Sequence, residues 1–223
     1  KFWSIMISQN FIKRTLSSII LIPLIFFIIF SDTILFNLFI SICFVIAFYE
    51  WNKMTRKLFS KLTGFVFLLF SFYTTFQLKN YLDFENFYLL FVISICIATD
   101  LGGYSFGKIL KGPKLTSISP KKTYSGLLGA IILSILVSLF FYKYDYKFGI
   151  SIQLNSHFII LIVLISIISQ IGDITISLFK RLAKISDTGN IIPGHGGLLD
   201  RIDGMLFAIP FLFLILKMNI FNF

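Results

Sequence analysis

The chain has 223 residues, of which 57% are apolar and 13% are charged, about half the ~25% charged share of a soluble domain. The mean hydropathy is +0.91, and a water-soluble globule of this length cannot bury so much apolar surface. The net charge of +10 does not indicate nucleic-acid binding, because the cations lie in short gaps between apolar runs rather than on one polar face. The composition also excludes disorder. It predicts an all-α, polytopic membrane protein with one domain over residues 1–223.

Seven apolar runs approach the ~20 residues that a membrane crossing needs. We therefore expect about seven transmembrane helices, within a range of five to nine. The fourth and sixth runs are also compatible with half-buried helices packed between their neighbours. Cys43 and Cys96 fall inside apolar runs and are predicted to act as small apolar residues. The runs are Leu16–Phe30, Ile34–Tyr49, Leu62–Phe76, Phe87–Thr99, Leu127–Phe141, Phe158–Ile171 and Met205–Phe221.

The distribution of cations predicts the orientation of the spans. If the N-terminus is cytoplasmic and the spans alternate, the cytoplasmic segments hold 16 of the 20 Lys and Arg residues. Cationic segments resist translocation, so this split favours a cytoplasmic N-terminus. Two longer polar segments, Asp100–Tyr124 and Asp173–Gly204, then lie on the cytoplasmic side and are predicted to be loops.

Aspartates concentrate in these two polar segments. The chain has ten acidic residues; four lie in the second segment, and Asp100 ends an apolar run. Carboxylates at the edge of hydrocarbon are costly unless cations or metal balance them, so they are functional candidates. Structural ion pairs on a solvated loop are the alternative. Glu50 and the other acids resemble ordinary loop or interface residues. The four are Asp173, Asp187, Asp200 and Asp203.

The segment Gln170–Lys184 predicts a helix with one polar stripe, because its polar residues recur at the helical period. Such a stripe can hold a divalent metal at its carboxylate end and phosphate oxygens at its cationic end. A basic helix end that anchors to anionic headgroups is the alternative. The stripe comprises Asp173, Ser177, Lys180 and Lys184, with Arg181 beside it.

Glycines and hydroxyls add a phosphate-binding signature to both polar segments. In the second, Gly189, Gly194, Gly196 and Gly197 predict an anion-binding concavity around His195. Asp200 and Asp203 are three residues apart, so a helix would place them on one face as ligands for magnesium. The first segment combines glycines with a cluster of hydroxyls and cations that suits polyphosphate. This cluster comprises Ser117, Ser119, Pro120, Lys121, Lys122 and Thr123.

Together these motifs resemble the phosphatidate cytidylyltransferase family, also called CDP-diacylglycerol synthases. The resemblance covers most of the chain and is closest over Ser177–Asp203. Two positions depart from the family pattern: Ser186 replaces a Lys, and Ser125 replaces an acid. The matching positions are Ser177, Lys180-Arg181, Asp187, Pro193, His195-Gly196-Gly197, Asp200-Arg201 and Asp203, with Gly172-Asp173, Ser119-Pro120-Lys121-Lys122-Thr123, Asp100, Gly103-Tyr104 and Gly107-Lys108 upstream and weaker matches at Lys13-Arg14 and Glu50-Trp51.

The resemblance implies a membrane-embedded nucleotidyltransferase that makes CDP-diacylglycerol and pyrophosphate from CTP and phosphatidate. It implies one or two Mg²⁺ ions held by Asp173, Asp200 and Asp203, and leaves a monovalent cation open. The implied catalytic residues are Asp173, Lys180, Arg181, Asp200, Arg201 and Asp203. The implied substrate-binding residues are Asp100, Ser119, Lys121, Lys122, Thr123, Ser177, Asp187, His195, Gly196 and Gly197.

The expected partners are CTP, phosphatidate and the lipid bilayer, with no nucleic acid; a homodimer stays open. The expected location is the inner (plasma) membrane, with the N-terminus and both polar loops cytoplasmic. A polytopic transporter is the main alternative from another class, and it is disfavoured because the acids cluster near one surface and no paired broken helices occur. A family member that acts on another lipid phosphate, or one that has lost activity, is also open.

Overall fold

A computed structural model describes residues 23–79, 86–116, 118–120, 122–144, 153–191 and 196–218. Over these ranges the chain is mainly helical, and its β-structure consists of isolated bridges, one of which joins Lys114 and Thr123. A short helical stretch over residues 23–29 comes first. The helices that follow are α1 (Thr33–Met54), α2 (Leu58–Lys79), α3 (Phe87–Leu110), α4 (Tyr124–Tyr144), α5 (Ser156–Leu182), α6 (Leu199–Ile202) and α7 (Met205–Lys217).

Five of these helices, α1 to α5, are long and apolar enough to cross a membrane, while α7 is apolar but has only 13 described residues. The predicted all-α, polytopic fold is confirmed. Each of the second to sixth predicted runs lies within one helix, and the seventh starts with α7. The first run, Leu16–Phe30, lies largely outside the described residues. The outer faces carry exposed apolar side chains such as Ile34 and Phe59, as a lipid-facing surface requires.

The two polar segments form shorter loops than predicted. Helix α3 continues to Leu110 and α5 to Leu182, so Asp100 and Asp173 lie inside membrane-spanning helices. At 1.5 Å per residue, each lies about 15 Å from the C-terminal end of its helix. The helix predicted over Gln170–Lys184 is confirmed as far as Leu182. The length of α3 was not predicted, because a polar side chain ends an apolar run but does not break backbone hydrogen bonds.

The helices end where the backbone leaves the helical region of φ/ψ space. Lys111 and Gly112 have φ values of 54° and 120° just after α3, and Pro113 follows. Lys184, with φ of 57°, lies beyond the end of α5. It is therefore not part of the predicted polar stripe, which the helix provides only as far as Lys180 and Arg181.

Glycines let α3 and α4 pack with their backbones in contact. A Cβ on Gly102 would overlap the carbonyl oxygen of Gly129, and one on Gly126 would lie 2.7 Å from the carbonyl oxygen of Gly103. Small residues at such crossings are typical of membrane helix pairs. These glycines therefore serve helix packing, and a phosphate contact by the glycines of the first polar segment stays a prediction.

Two apolar clusters form the core. The larger joins α3, α5 and α7 through buried residues such as Phe91, Ile165 and Leu212. The smaller joins α1 and α2 to α5 and α6, and it includes Trp51 and Leu199. Cys43 and Cys96 are buried free thiols, which confirms their predicted role as apolar residues. The smaller cluster supports the polar site described next.

Candidate functional site

Asp200 is held by donors from two parts of the chain. Its Oδ1 accepts a hydrogen bond from Lys180 Nζ at 2.7 Å. Its Oδ2 accepts from the backbone amides of Thr188 and Gly197, at 2.8 and 3.0 Å, and lies 3.0 Å from the Thr188 hydroxyl. Burial raises the pKa of Asp200, but Lys180 and the two amides outweigh burial and hold it below the ordinary value. Asp200 is therefore a charged anchor for Lys180 and for residues 188–191 and 196–199 of the second polar segment, which we call the glycine-rich segment.

Glu50 is a second buried anchor for the same segment. It lies near the end of α1 and is 1% exposed. Its Oε1 accepts from the Leu198 amide at 2.9 Å; its Oε2 accepts from the Leu199 amide at 2.9 Å and the Thr188 hydroxyl at 2.8 Å. The described parts of the glycine-rich segment therefore contact both oxygens of this carboxylate.

These contacts correct the interpretation of the glycine-rich segment. Its amides at Gly197, Leu198 and Leu199 do form an anion-binding concavity, but the bound anions are the protein's own carboxylates, Asp200 and Glu50. The prediction that Gly197 contacts substrate is therefore not supported by its amide, which is already occupied.

The sequence interpretation missed Glu50 as a member of the site. A signal was available, because Glu50 ends an apolar run as Asp100 does, and the cost of a carboxylate at the edge of hydrocarbon applies equally to both. Its partners are 138 to 149 residues away along the chain. No local pattern in the sequence could therefore identify them.

The two polar segments meet at Asp173. Lys122 Nζ lies 2.6 Å from Asp173 Oδ2 and also donates to the Gln170 carbonyl oxygen at 3.3 Å. Ser177, one turn further along α5, donates to Asp173 Oδ1 at 3.2 Å. Asp173, Ser177 and Lys122 are thus brought together, as the interpretation of both segments as one site requires.

Asp203 lies at the junction of α6 and α7 and is 9% exposed. Its Oδ1 accepts from the Gly204 amide at 2.9 Å. Gly172 of α5 allows this close approach, because a Cβ there would lie 2.7 Å from the Asp203 carbonyl oxygen. Burial, and then the charges of Asp173 and Asp100, raise the pKa of Asp203 well above its ordinary value. Three carboxylates from α3, α5 and the α6–α7 junction therefore repel one another in one neighbourhood.

Asp200 and Asp203 have different partners in the fold, and their predicted joint role as magnesium ligands stays a prediction. Asp200 engages Lys180 and the glycine-rich segment, whereas Asp203 interacts with α5 and with the charges of Asp173 and Asp100. Asp200 lies within α6, which has only four residues, and Asp203 follows its last residue, so a single helical turn separates two carboxylates with different partners.

The carboxylate cluster has the chemistry that a hard divalent cation prefers. Asp173 and Asp203, with Asp100 beside them, fit on this ground, because a cation would relieve their mutual repulsion. Both oxygens of Asp200 already accept hydrogen bonds from the protein. Both oxygens of Asp173 are likewise engaged, by Ser177 and Lys122, so either carboxylate would exchange a protein partner for a metal. Within the described ranges, no group of three or more His, Cys, Asp or Glu side chains is arranged to hold a metal ion. The predicted metal set Asp173, Asp200 and Asp203 stays a prediction.

The residues of the first polar segment have mainly structural contacts. Thr123 caps α4, since its hydroxyl accepts from the Gly126 amide at 3.1 Å. The Ser119 carbonyl oxygen accepts from the Lys122 amide at 3.0 Å. Ser125, at a position where the family resemblance leads us to expect an acid, donates to the Lys111 carbonyl oxygen. Lys121 and Ser117 lie outside the described residues.

The other predicted residues lie at the rim. Arg181 and Arg201 are exposed, and the Ser186 hydroxyl donates to exposed Asp187 at 2.7 Å. Gly196 has φ of 89°, a value that favours glycine. His195, Pro193 and Gly194 lie outside the described residues. Substrate contacts by all of these residues stay predictions.

A layer of buried hydroxyls lies deeper in the bundle, beside the carboxylates. Thr99 Oγ1 lies 3.0 Å from both Ser134 Oγ and Ser166 Oγ. One turn before Asp173, Gln170 is 8% exposed, and its Nε2 finds no acceptor among the described residues. A buried amide without a partner is costly, so Gln170 is a donor available to a ligand.

Fold and site together define a multi-pass helical membrane protein whose polar site, rich in carboxylates and lysines, is enclosed by its helices. The model of the cytidylyltransferase family matches residues 12–84 and 60–219, and the chain belongs to this family. Similar proteins include phosphatidate cytidylyltransferases of Staphylococcus epidermidis, Staphylococcus haemolyticus and Staphylococcus aureus, which are 39%, 37% and 38% identical over 131 residues. These residues are 58% of this chain and 48% of each relative. The match thus spans about half the length of the relatives.

Proposed function

We propose that the chain transfers the cytidylyl group of CTP to phosphatidate, forming CDP-diacylglycerol and pyrophosphate. A phosphate oxygen of the lipid bonds to the α-phosphorus of CTP, and the bond from that phosphorus to the oxygen bridging the β-phosphate breaks. The observation that carries the proposal is the ion pair of Lys122 and Asp173, which joins the two polar segments at 2.6 Å, with Asp173 within electrostatic range of Asp100 and Asp203. Membership of the cytidylyltransferase family and the names of the relatives support it.

Charge explains what the site residues do in this reaction. Both substrates are polyanions, so catalysis depends on positioning and on charge neutralisation. Lys122 and Lys180 are partly buried cations of the site, with side-chain exposures of 20% and 12%. Each is held by a carboxylate at 2.6 to 2.7 Å, which orients it before substrate arrives. The lipid phosphate is a nucleophile at neutral pH, and no strong general base is needed.

Magnesium belongs to this proposal as the cofactor. Asp173 and Asp203 would hold it, with Asp100 near enough to add negative charge, and Asp200 would keep Lys180 and the glycine-rich segment in place. When bound, the metal supplies neutralisation of the triphosphate and of the leaving pyrophosphate. The number of ions, one or two, and a role for a monovalent cation are parts of the same proposal.

The membrane setting follows from the substrates. Phosphatidate keeps its acyl chains in the bilayer, and CTP arrives from the cytoplasm. We propose that the chain lies in the plasma membrane with its N-terminus and site on the cytoplasmic side, a proposal that the distribution of cations supports. Asp100 and Asp173 lie about 15 Å from the ends of their helices, so the lipid phosphate would enter between helices.

The direct test is product formation by the purified full chain in detergent with labelled CTP, phosphatidate and Mg²⁺. We expect labelled CDP-diacylglycerol and an equal amount of pyrophosphate, and no product without the lipid or with excess chelator. Asp173→Asn and Asp203→Asn should abolish product. Asp32→Asn removes an exposed acid at the start of α1 and should leave the rate unchanged.

Three results would argue against the proposal in different ways. Binding of CTP without product would indicate an inactive family member. Product from another lipid phosphate, such as an isoprenoid-ether phosphate, but not from phosphatidate would change the substrate. Full turnover by Asp173→Asn and Asp203→Asn would show that these carboxylates take no part in the reaction.

A further inference from the structure

We propose that Glu50 is a positioning residue for the cytidylyl transfer: its buried carboxylate is the template on which the glycine-rich segment folds, and through Thr188 it orients Asp200 and Lys180. The inference rests on the proposed function for its kinetic part. Its structural part, the anchoring of residues 188–189 and 197–199 by Glu50, can be measured independently of activity.

The donors around Glu50 require a carboxylate. Two backbone amides and one hydroxyl point at its two oxygens, and ionised carboxylate oxygens only accept hydrogen bonds. A Gln side chain has the same shape but carries one NH₂ group. In either orientation this NH₂ would face the amide of Leu198 or Leu199, donor against donor. Leaving such a buried donor unpaired is costly.

The space around Glu50 is equally specific. A Cβ on Gly189 would lie 2.6 Å from Glu50 Oε1, and one on Gly197 would lie 2.5 Å from Oε2. Two glycines of the segment thus pack directly against the carboxylate. This arrangement gives the glycines a function that the sequence had attributed to a bound phosphate.

Thr188 connects Glu50 to the reaction site. Its hydroxyl lies 2.8 Å from Glu50 Oε2 and 3.0 Å from Asp200 Oδ2, and its amide donates to Asp200 at 2.8 Å. Asp200 in turn holds Lys180 at 2.7 Å, and the charge of Lys180 acts on Asp203. Displacement of Glu50 would therefore move the groups that contact or orient the phosphates.

Helix α1 is a rigid support for this carboxylate. The neighbouring Trp51 packs on Phe179 of α5, with ring centroids 4.8 Å apart, and its indole nitrogen donates to the Ser60 carbonyl oxygen at 2.9 Å. Gly64 of α2 leaves room for the indole ring. Because Trp51, the residue next to Glu50, packs against both α2 and α5, contacts outside the glycine-rich segment fix the position of the Glu50 carboxylate.

The experiment combines amide hydrogen exchange with steady-state kinetics on the full chain in detergent. Glu50→Gln removes the template without creating a cavity. Thr188→Val removes the connecting hydroxyl, whereas Thr188→Ser keeps it. Lys53→Gln removes an exposed charge from the same helix and is the matched control. Exchange is followed in peptides covering residues 196–204 and, for comparison, in peptides from α4.

In Glu50→Gln we expect faster exchange in the 196–204 peptides and unchanged exchange in α4. Turnover with saturating CTP should fall on the order of 100-fold, because a shift of about 1 Å in catalytic groups has an effect of that size. Turnover should fall about tenfold in Thr188→Val, which loses a hydrogen bond to a carboxylate. Thr188→Ser should keep most of the turnover of the unsubstituted chain. Lys53→Gln should match the unsubstituted chain in both measurements.

Each other outcome also decides the question. Unchanged exchange at 196–204 in Glu50→Gln would overturn the anchoring, and faster exchange with normal kcat and KM would overturn the positioning role. If Glu50→Gln exchanges rapidly throughout, the Thr188 pair decides, because equal loss in Thr188→Val and Thr188→Ser would refute the connection. An inactive unsubstituted chain would refute the proposed function, while its exchange pattern would still test the anchor.

Discussion

The ion pair between Lys180 and Asp200 offers a quantitative test of how the site is held together. The side chains are 12% and 6% exposed, and Nζ and Oδ1 lie 2.7 Å apart. Lys180→Met keeps much of the side-chain volume but leaves Asp200 buried without its cation. Breaking a buried pair by removing one partner costs about 3–5 kcal/mol. The lower end applies here, because Asp200 Oδ2 keeps the amides of Thr188 and Gly197.

A loss of about 3 kcal/mol corresponds to a decrease in Tm of roughly 6–12 °C for a chain of this size. The double variant Lys180→Met with Asp200→Asn should recover much of this loss, because no uncompensated charge remains. Asp200→Asn alone should lie between the two. The cycle therefore separates the coupling of the pair from the cost of each change.

The chain carries its own probe for this measurement. Cys43 and Cys96 are buried free thiols in two different helices, so a thiol-reactive dye reports unfolding of the full chain in detergent. Additive effects in the double variant would show that the two side chains are not coupled. A decrease in Tm of less than 2 °C in Lys180→Met would refute the assignment of a buried, structurally important pair.

Three further predictions concern other parts of the site and its support. The pKa of Asp203 in the folded chain is raised, so the charged form of Asp203 destabilises the fold at neutral pH. Asp203→Asn should therefore raise Tm at neutral pH, and this increase in Tm should disappear as the pH falls and the native carboxyl protonates. A lower Tm of Asp203→Asn at neutral pH would contradict this. Gly102→Ala should lower the free energy of unfolding by about 1–3 kcal/mol, because the added Cβ would overlap the Gly129 backbone. Gly103→Ala, whose Cβ would have its nearest contact 3.9 Å away, should be tolerated. Equal melting temperatures of the two variants would argue against backbone contact between α3 and α4. Gln170→Leu removes an amide nitrogen with no partner among the described residues, so Tm should not fall. If the amide donates to substrate, turnover should fall about tenfold. An unchanged turnover would exclude that contact.

The sequence alone predicted the membrane fold because bilayer thickness relates directly to the length of an apolar run. Helices α1 to α5 each contain one predicted run, and the two thiols are buried as expected. The motif Ser177–Asp203 also predicted the family, since spacing between residues is a property of the sequence itself. These features depend on local composition or on order along the chain, and neither requires knowledge of packing.

Tertiary structure decided where the helices end and what the glycines do. The fourth apolar run stops before Asp100, but backbone hydrogen bonding carries α3 to Leu110. The sequence had predicted that α5 continues past Asp173, and it does so as far as Leu182. The glycines of the first polar segment pack α3 against α4. Whether a glycine serves a ligand or another helix depends on which backbone faces it, and that is not encoded locally.

Tertiary structure also decided which carboxylates act together. By spacing, Asp200 and Asp203 were a pair; in the fold, Asp203 interacts with Asp173 and Asp100, while Asp200 and Glu50 hold the glycine-rich segment. Electrostatic interactions and hydrogen bonds act over a few ångströms in space regardless of separation along the chain. The sequence therefore identified most of the charged residues, and only packing determined their partners.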